Sequence, residues 1–122
     1  MLDHPLVMVA DVSDLARASG RKFNGVSQFV KDWNRDPSRR LLMIETEPVD
    51  GSVGHRTALA ALVRCLCGRD SVPLPRWVRG YGPLKEPYAL SGDPVTDLVR
   101  NYTPGVAAGF GVYFDRSLLD CR

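Results

Sequence analysis

The chain has 122 residues and a formal net charge of +2 at pH 7, with 44% apolar and 25% charged residues. This length predicts one domain, residues 1–122, that buries a single hydrophobic core without needing disulfides or metal ions for stability. So small a charge does not indicate nucleic acid or a membrane surface as a partner. The first residues lack the apolar core of a secretory signal, and no run reaches the roughly 18 apolar residues of a membrane helix. Three cysteines, an odd number, favour free thiols in a reducing cytoplasm.

Apolar periodicity predicts helices along most of the chain. A short helix is expected from Val12 to Ser19, with Gly20 at its end. Three later segments carry apolar residues at i, i+3, i+4 and i+7, a spacing that places four side chains on one helical face. These stripes are Val26/Phe29/Val30/Trp33, Leu59/Leu62/Val63/Leu66 and Val95/Leu98/Val99/Tyr102.

Polar residues and prolines mark where these helices are expected to begin and end. Gly68 is expected to end the second striped helix. Asp36 followed by Pro37 predicts one or two helical turns between Arg39 and Thr46, a run that would also suit a short strand. The expected starts of the striped helices are, in chain order, Asn24 or Ser27, then Thr57 or a position near Gly54, then Asp93 with Pro94 behind it.

The C-terminal third combines chain breakers with aromatic residues. Residues 71–92 contain too much Pro and Gly for a regular helix or strand. They also contain too much Trp and Tyr for a flexible linker, so we expect an ordered loop. Residues 103–105 form a turn, and residues 112–114 suit a short strand or extended segment. Asp115 is expected to cap a last helical turn. The fold class predicted is mainly α: a small single-domain helical bundle with a long ordered Pro/aromatic loop and a short extended C-terminal segment.

Residues 12–33 have some features of a helix-turn-helix. Ala16, Gly20 and Val26 lie at suitable offsets for the small, turn and aliphatic positions of that motif. Gly25 would weaken the second helix, so an ordinary pair of helices joined by a loop is the alternative. If the motif binds DNA, the expected contacts are Lys22, Asn24, Ser27, Gln28 and Lys31.

Residues able to support catalysis or bind metal do not form a recognisable motif. Cys65 and Cys67 together with His4 or His55 lack a fourth zinc ligand. A nucleophile built from Cys65, His55 and an acid lacks a supporting local context, so both cysteines are expected in the core. We predict no enzyme activity, no catalytic residue, no metal and no cofactor. Four neighbouring carboxylates are expected on a solvated surface, namely Asp32, Asp36, Glu45 and Glu47.

Short motifs from Val26 onward form a pattern that resembles a known bacterial domain family. The motifs are Arg35-Asp36-Pro37, Glu45-Thr46-Glu47-Pro48, Leu74-Pro75-Arg76-Trp77, the L-x-x-P-aromatic run from Leu84 to Tyr88, Thr103-Pro104, and Val112-Tyr113-Phe114-Asp115. The family is often actinobacterial, commonly follows an Xre-type helix-turn-helix and is often encoded beside nucleotidyltransferase-like toxins. Its members resemble antitoxins. The resemblance divides the domain into an N-terminal helix and turn, residues 1–25, and an antitoxin-like region, residues 26–122.

The resemblance implies a non-enzymatic interaction module that neutralises a cognate protein toxin by direct binding. Trp, Tyr and Arg are the residues that most often anchor protein interfaces, and we predict partner contacts at Trp77, Tyr81, Tyr88 and Arg100. The alternative for these aromatic residues is a place beside the core. Residues 105–109 depart from the family, whose members tend to carry an aromatic residue and arginines there. The alternative function is a small DNA-binding transcriptional regulator that uses residues 12–33.

Overall fold

The computed structural model describes residues 7–12, 24–49, 52–90 and 97–121. In this part of the chain the fold is mainly α, as predicted, and it forms one small domain. The helices are α1 (Asn24–Arg35), α2 (Arg40–Met43), α3 (Val53–Asp70), α4 (Asp97–Tyr102) and α5 (Gly105–Ala108), and the strands are β1 (Tyr88–Ala89) and β2 (Val112–Tyr113). Single 3-10 turns lie at Val9–Asp11, Pro37–Arg39, Arg76–Gly80 and Arg116–Asp120. No helix of the described ranges has both the length and the apolar character needed to cross a membrane.

Helix α3 is the centre of the core. Its residues 57–63 and 65–67 are buried, so the helix is enclosed on nearly every side, which is typical of a core helix rather than a surface helix. Ser52 caps it, because the Ser52 hydroxyl accepts a hydrogen bond from the His55 amide at 3.1 Å. The helix begins at Val53, which confirms the predicted start near Gly54, and Thr57 is a buried residue of the second turn rather than the cap.

The C-terminal end of α3 also differs from the prediction. The helix continues past Gly68 to Asp70 and ends at Ser71, which adopts a left-handed conformation with φ of 57°. Gly68 is exposed, so a glycine there costs the helix about 1 kcal/mol without disturbing the core. The left-handed residue that closes a helix end is supplied by Ser71 instead.

Helix α1 confirms its predicted stripe, since Val26, Phe29, Val30 and Trp33 are all fully buried. The helix begins at Asn24, so Ser27 lies inside it and does not cap it. The prediction that Asp32 is solvated is wrong, because this carboxylate has no exposed surface. It accepts hydrogen bonds from the Val7 amide at 3.0 Å and from the Gln28 side chain at 3.1 Å. Asp32 thereby fixes the N-terminal segment on α1.

A polar cluster joins α1, α2 and the end of α3. The indole of Trp33 donates to Oδ2 of Asp70 at 2.7 Å. Arg40 donates to the Trp33 carbonyl at 2.9 Å and its guanidinium stacks on the Trp33 ring. Arg69 pairs with Asp70 at 2.8 Å and donates to the Leu119 carbonyl at 2.6 Å. The C-terminal 3-10 turn is thus held against the helices.

The segment predicted as a long loop contains short regular elements in its described part, residues 71–90. A 3-10 turn occupies Arg76–Gly80, and β1 pairs in parallel with β2. The strand at Val112–Tyr113 confirms the expected extended segment. Asp115 caps the last turn by accepting from the Ser117 amide at 2.9 Å, which confirms that prediction as well.

The third predicted stripe is confirmed only in part. Val99 is half-buried, but Tyr102 is 49% exposed. Helix α4 ends at Tyr102, and the buried residue at that point is Thr103, whose hydroxyl donates to the Val99 carbonyl at 2.6 Å. The start predicted at Asp93-Pro94 and the N-terminal helix predicted for residues 12–19, apart from Val12, lie outside the described residues.

Candidate functional site

A groove of about 550 Å³ opens between the first turns of α3 and residues 76–84, which follow that helix in the chain. Its outer walls come from the 3-10 turn Arg76–Gly80 and from the extended residues 81–84. The apolar lining is Val53, Trp77, Pro83 and Leu84, and the polar lining is Glu47, Arg56, Thr57, Arg76 and Tyr81. The volume lies within the range of ordinary ligand and peptide pockets.

Trp77 and Tyr81 form the aromatic wall of the groove. Their rings meet edge to face, with centroids 6.1 Å apart and an interplanar angle of 88°, an arrangement favoured by the ring quadrupoles. The indole N–H of Trp77 donates to the Ile44 carbonyl at 2.8 Å. Both side chains are half-buried, so each ring is fixed from behind while part of its surface remains accessible.

The Tyr81 hydroxyl joins this wall to an acidic residue. It donates to Oε2 of Glu47 at 2.7 Å. Burial raises the pKa of Tyr81, the hydrogen bond and charge of Glu47 raise it further, and the nearby Arg56 guanidinium lowers it in part. Tyr81 therefore stays protonated at neutral pH and acts as a donor, and the Glu47 carboxylate is already engaged within the protein.

Two arginines line the same groove. Arg56 projects from the first turns of α3 and is half-buried, and its Nε is enclosed without a hydrogen-bond partner. Arg76 is exposed at the start of the 3-10 turn. The groove thus combines apolar surface with two cations and one acid.

The predicted contact residues separate into two groups. Trp77 and Tyr81 lie together in the groove, but Tyr88 and Arg100 do not line it. The Tyr88 ring packs on Gly54, where an added Cβ would lie 2.9 Å from Cδ2 of the ring. Its hydroxyl lies 3.4 Å from Nδ1 of His55.

Arg100 belongs to a different surface. Its guanidinium stacks on the Tyr113 ring at 4.9 Å. Because successive side chains of a strand point to opposite faces, and Tyr88 pairs with Val112 rather than with Tyr113, Tyr88 and Tyr113 lie on opposite faces of the two-stranded sheet. The four residues predicted as one contact surface are therefore not contiguous.

Glu47 and Arg56 line the groove but were not among the predicted site residues. The position of Arg56 could have indicated a groove residue. Arg56 lies one helical turn before Leu59, so a charged residue occupies the next position along the apolar stripe of α3. A charged residue at the end of a buried stripe marks the point where the stripe reaches the surface. No local signal identifies Glu47, because its partner Tyr81 is 34 residues away.

The residues proposed to contact DNA lie mainly on α1. Ser27, Gln28 and Lys31 are half-buried, and the Gln28 amide is engaged with Asp32. Lys22, Ala16 and Gly20 lie outside the described residues, as does the side chain of Asn24. DNA binding stays a prediction, and a salt-dependent mobility shift with the chain's own promoter fragment would test it.

The thiols occupy the core rather than a reactive site. Cys65, Cys67 and Cys121 are free, and the first two are buried. Burial raises the pKa of both the Cys65 and the Cys67 thiol to about 11, the reverse of what a thiolate nucleophile or metal ligand needs. Among the described residues, no three His, Cys, Asp or Glu side chains come close enough to hold a metal ion.

No family model, curated protein or solved structure matches this chain. The motif Leu74-Pro75-Arg76-Trp77, which contributes to the antitoxin resemblance, leads directly into the groove, since Arg76 and Trp77 both line it. The groove and the sequence motifs are therefore the two features of the chain that indicate a function.

Proposed function

We propose that this protein is a non-enzymatic interaction module that neutralises a cognate protein toxin by direct binding, with the groove as its contact surface. The observation that carries the proposal is the aromatic wall. Trp77 and Tyr81 are fixed from behind by Ile44 and Glu47 and remain half-exposed toward the groove. Trp, Tyr and Arg dominate the binding energy of protein interfaces.

The hydrogen bonds that fix the aromatic wall favour tight binding of a partner. Association costs free energy when side chains or loops must be ordered, and a preorganised surface avoids that cost. Leu84 is held as well, since its amide donates to the Phe110 carbonyl at 3.0 Å. Val53, which is 61% exposed at the groove, supplies apolar surface that a partner could bury. An interface of about 800 Å² on each partner would suffice.

The antitoxin role itself comes from the sequence resemblance, which also implies that the toxin is nucleotidyltransferase-like. The buried, protonated thiols are compatible with action in a reducing cytoplasm. In this account the chain inhibits by occlusion: it covers the toxin's functional surface and performs no reaction.

Toxin neutralisation tests the proposal directly. The product of the adjacent gene is expressed from an inducible promoter, with or without this chain, and growth is followed. The account expects growth arrest with the adjacent product alone and rescue by the wild-type chain. The proposal fails if the adjacent product is harmless, or if it is toxic and the chain neither rescues growth nor co-purifies with it.

Two matched variants test whether the groove is the contact surface. Val53→Asp places a charge on the groove at the first residue of α3, where an acid suits the helix dipole. Val106→Asp makes the same change at a residue that is 51% exposed outside the groove lining. Val53→Asp is expected to lose rescue and Val106→Asp to keep it. If Val53→Asp keeps rescue and Val106→Asp loses it, the contact surface lies at α5 and not at the groove.

A further inference from the structure

Five of the eight arginines that the structure describes outside the groove are compensated within the protein. Carboxylates lie within 4.0 Å of three of them, and aromatic rings cover two more. The ion pairs are Arg39–Asp36 at 3.6 Å, Arg40–Asp70 at 3.9 Å and Arg69–Asp70 at 2.8 Å, and the stacked pairs are Arg64–Phe110 and Arg100–Tyr113.

The two arginines of the groove, Arg56 and Arg76, have neither a carboxylate at ion-pair distance nor a ring stacked on them in the described part of the chain, although the Tyr81 hydroxyl lies beside the Arg56 guanidinium. Arg56 is the more unusual of the two, because it is half-buried and its Nε is enclosed without a hydrogen-bond acceptor; Arg64 shares this state of Nε, but its guanidinium is covered by the Phe110 ring and lies outside the groove lining. An unpaired buried donor is unfavourable and is normally satisfied by some partner.

Glu47, the one acid among the described residues of the groove lining, does not fill that role. Glu47 accepts from the Tyr81 hydroxyl at 2.7 Å and forms no salt bridge with either described arginine of the groove. The lining therefore carries two cations and one anion that is already engaged. Such a surface is complementary to a negatively charged ligand.

We infer that the groove binds an acidic residue of the partner, with its side-chain carboxylate between Arg56 and Arg76. A guanidinium presents two parallel N–H donors to a carboxylate, and this charge-assisted pair is stronger and more directional than a neutral hydrogen bond. The inference rests on the proposed function and adds the chemistry by which the partner is recognised.

The apolar lining favours a peptide segment over a free anion. Val53, Trp77 and Leu84 lie beside the arginines in a volume of about 550 Å³, far more room than a single carboxylate or phosphate needs. An acidic residue with apolar neighbours would place its charge on the arginines and its flanking side chains on the aromatic wall. The expected partner segment is therefore amphipathic, with one Asp or Glu between apolar residues.

A titration followed by NMR tests this inference without the partner. The full chain is labelled with ¹⁵N, and the probe is the capped tripeptide Leu-Glu-Leu at millimolar concentration. The Arg56 Nε–H and Trp77 indole N–H signals report directly on the groove. Capped Leu-Gln-Leu, which has the same shape without the charge, and sodium phosphate are the control titrants.

The glutamate peptide is expected to shift both signals, with the glutamine peptide at least tenfold weaker. Arg56→Gln should remove the response, whereas Arg64→Gln, on the same helix but stacked on Phe110, should keep it. Equal binding of the two peptides, a phosphate response equal to that of the glutamate peptide, or no shift at all would each overturn the inference.

The outcome separates this inference from the proposed function. If the chain rescues growth but the glutamate peptide causes no shift, the acidic contact is wrong and the interaction role stands. If the peptide binds but the chain neither rescues growth nor co-purifies with the adjacent product, the carboxylate site stands and the antitoxin role is wrong.

Discussion

Trp77 and Tyr81 both hydrogen-bond to one short segment, residues 44–47. The Trp77 indole donates to the Ile44 carbonyl at 2.8 Å, and the Tyr81 hydroxyl donates to Glu47 at 2.7 Å. The two acceptors, Ile44 and Glu47, are three residues apart in the chain, and the two donors are four residues apart. Together these hydrogen bonds hold the aromatic wall in a fixed position. This link is the structural basis for treating the groove as a preformed binding surface.

Removal of one of these bonds should weaken both the fold and the groove. Tyr81→Phe is expected to lower the free energy of unfolding by about 1 kcal/mol at most, because it removes one hydrogen bond whose exposed Glu47 carboxylate can be hydrated instead. Urea denaturation measures this change. Tyr102→Phe, at a tyrosine that is 49% exposed, is the control and should change stability by less than about 0.5 kcal/mol. Equal effects of the two variants would show that the Glu47 bond contributes nothing.

Asp70 should make stability depend on pH. Its hydrogen bond from Arg69, together with the Trp33 indole and the Arg40 charge, lowers the pKa of Asp70. A carboxyl whose pKa is lowered by folding stabilises the protein above its unfolded pKa of about 4, and this contribution is lost as pH falls through the lower folded value.

Asp70→Asn is therefore expected to cost about 2 kcal/mol at pH 7. The difference from wild type should shrink as the pH falls below about 4, because the wild-type carboxyl then becomes neutral. Urea denaturation across this pH range gives the measurement, with the exposed Asp120→Asn as control. A difference that stays constant with pH would contradict the assigned role of the Asp70 charge.

Two glycines should respond to alanine in opposite directions. Gly111 has φ of 74°, and an added Cβ would lie 3.2 Å from the Leu84 carbonyl oxygen. Gly111→Ala should therefore destabilise the protein by about 1–2 kcal/mol. Gly68 is exposed in the last turn of α3 with nothing near an added Cβ, so Gly68→Ala should stabilise by up to about 1 kcal/mol. Thermal unfolding of both variants checks the pair, and a stabilised Gly111→Ala would contradict the left-handed conformation.

Thiol labelling should distinguish the three cysteines. Burial raises the pKa of Cys65 and Cys67 to about 11, and the thiolate is the reactive form. With a disulfide reagent at about pH 8, the half-buried Cys121 should react in the native protein, whereas the other two should react only after denaturation. Mass spectrometry of the labelled peptides gives the assignment. Rapid labelling of Cys65 in the native protein would contradict its burial and would support the hypothesis of a reactive cysteine at this position.

Local patterns predicted those parts of the fold that depend on nearby residues. The stripe of α1 and the Asp115 cap needed only the spacing of apolar residues and one hydrogen bond to a neighbouring amide. The start of α3 was placed near Gly54 as one of two alternatives, and the helix begins at Val53; the spacing of apolar residues did not decide between them because the first turn carries little of the apolar pattern. Asp32 was misplaced because its burial depends on the Val7 amide, 25 residues away.

The groove could be predicted only in its aromatic half. Trp77 and Tyr81 were identified by residue type within one short segment. Glu47 and Arg56 reach the same place from separate elements, and Arg100, identified by the same residue-type reasoning, packs elsewhere on Tyr113. Local spacing does not identify residues from separate elements as members of one site, because tertiary packing brings them together.

The most direct measurement is the dissociation constant of the adjacent gene product for three forms of the chain. These are the wild type, Arg76→Glu and Arg79→Glu; both arginines are exposed in one 3-10 turn, and only Arg76 lines the groove. The account predicts at least tenfold weaker binding, about 1.4 kcal/mol, for Arg76→Glu and less than a twofold change for Arg79→Glu. Wild-type affinity in both variants, or equal losses in both, would contradict the groove as the binding surface.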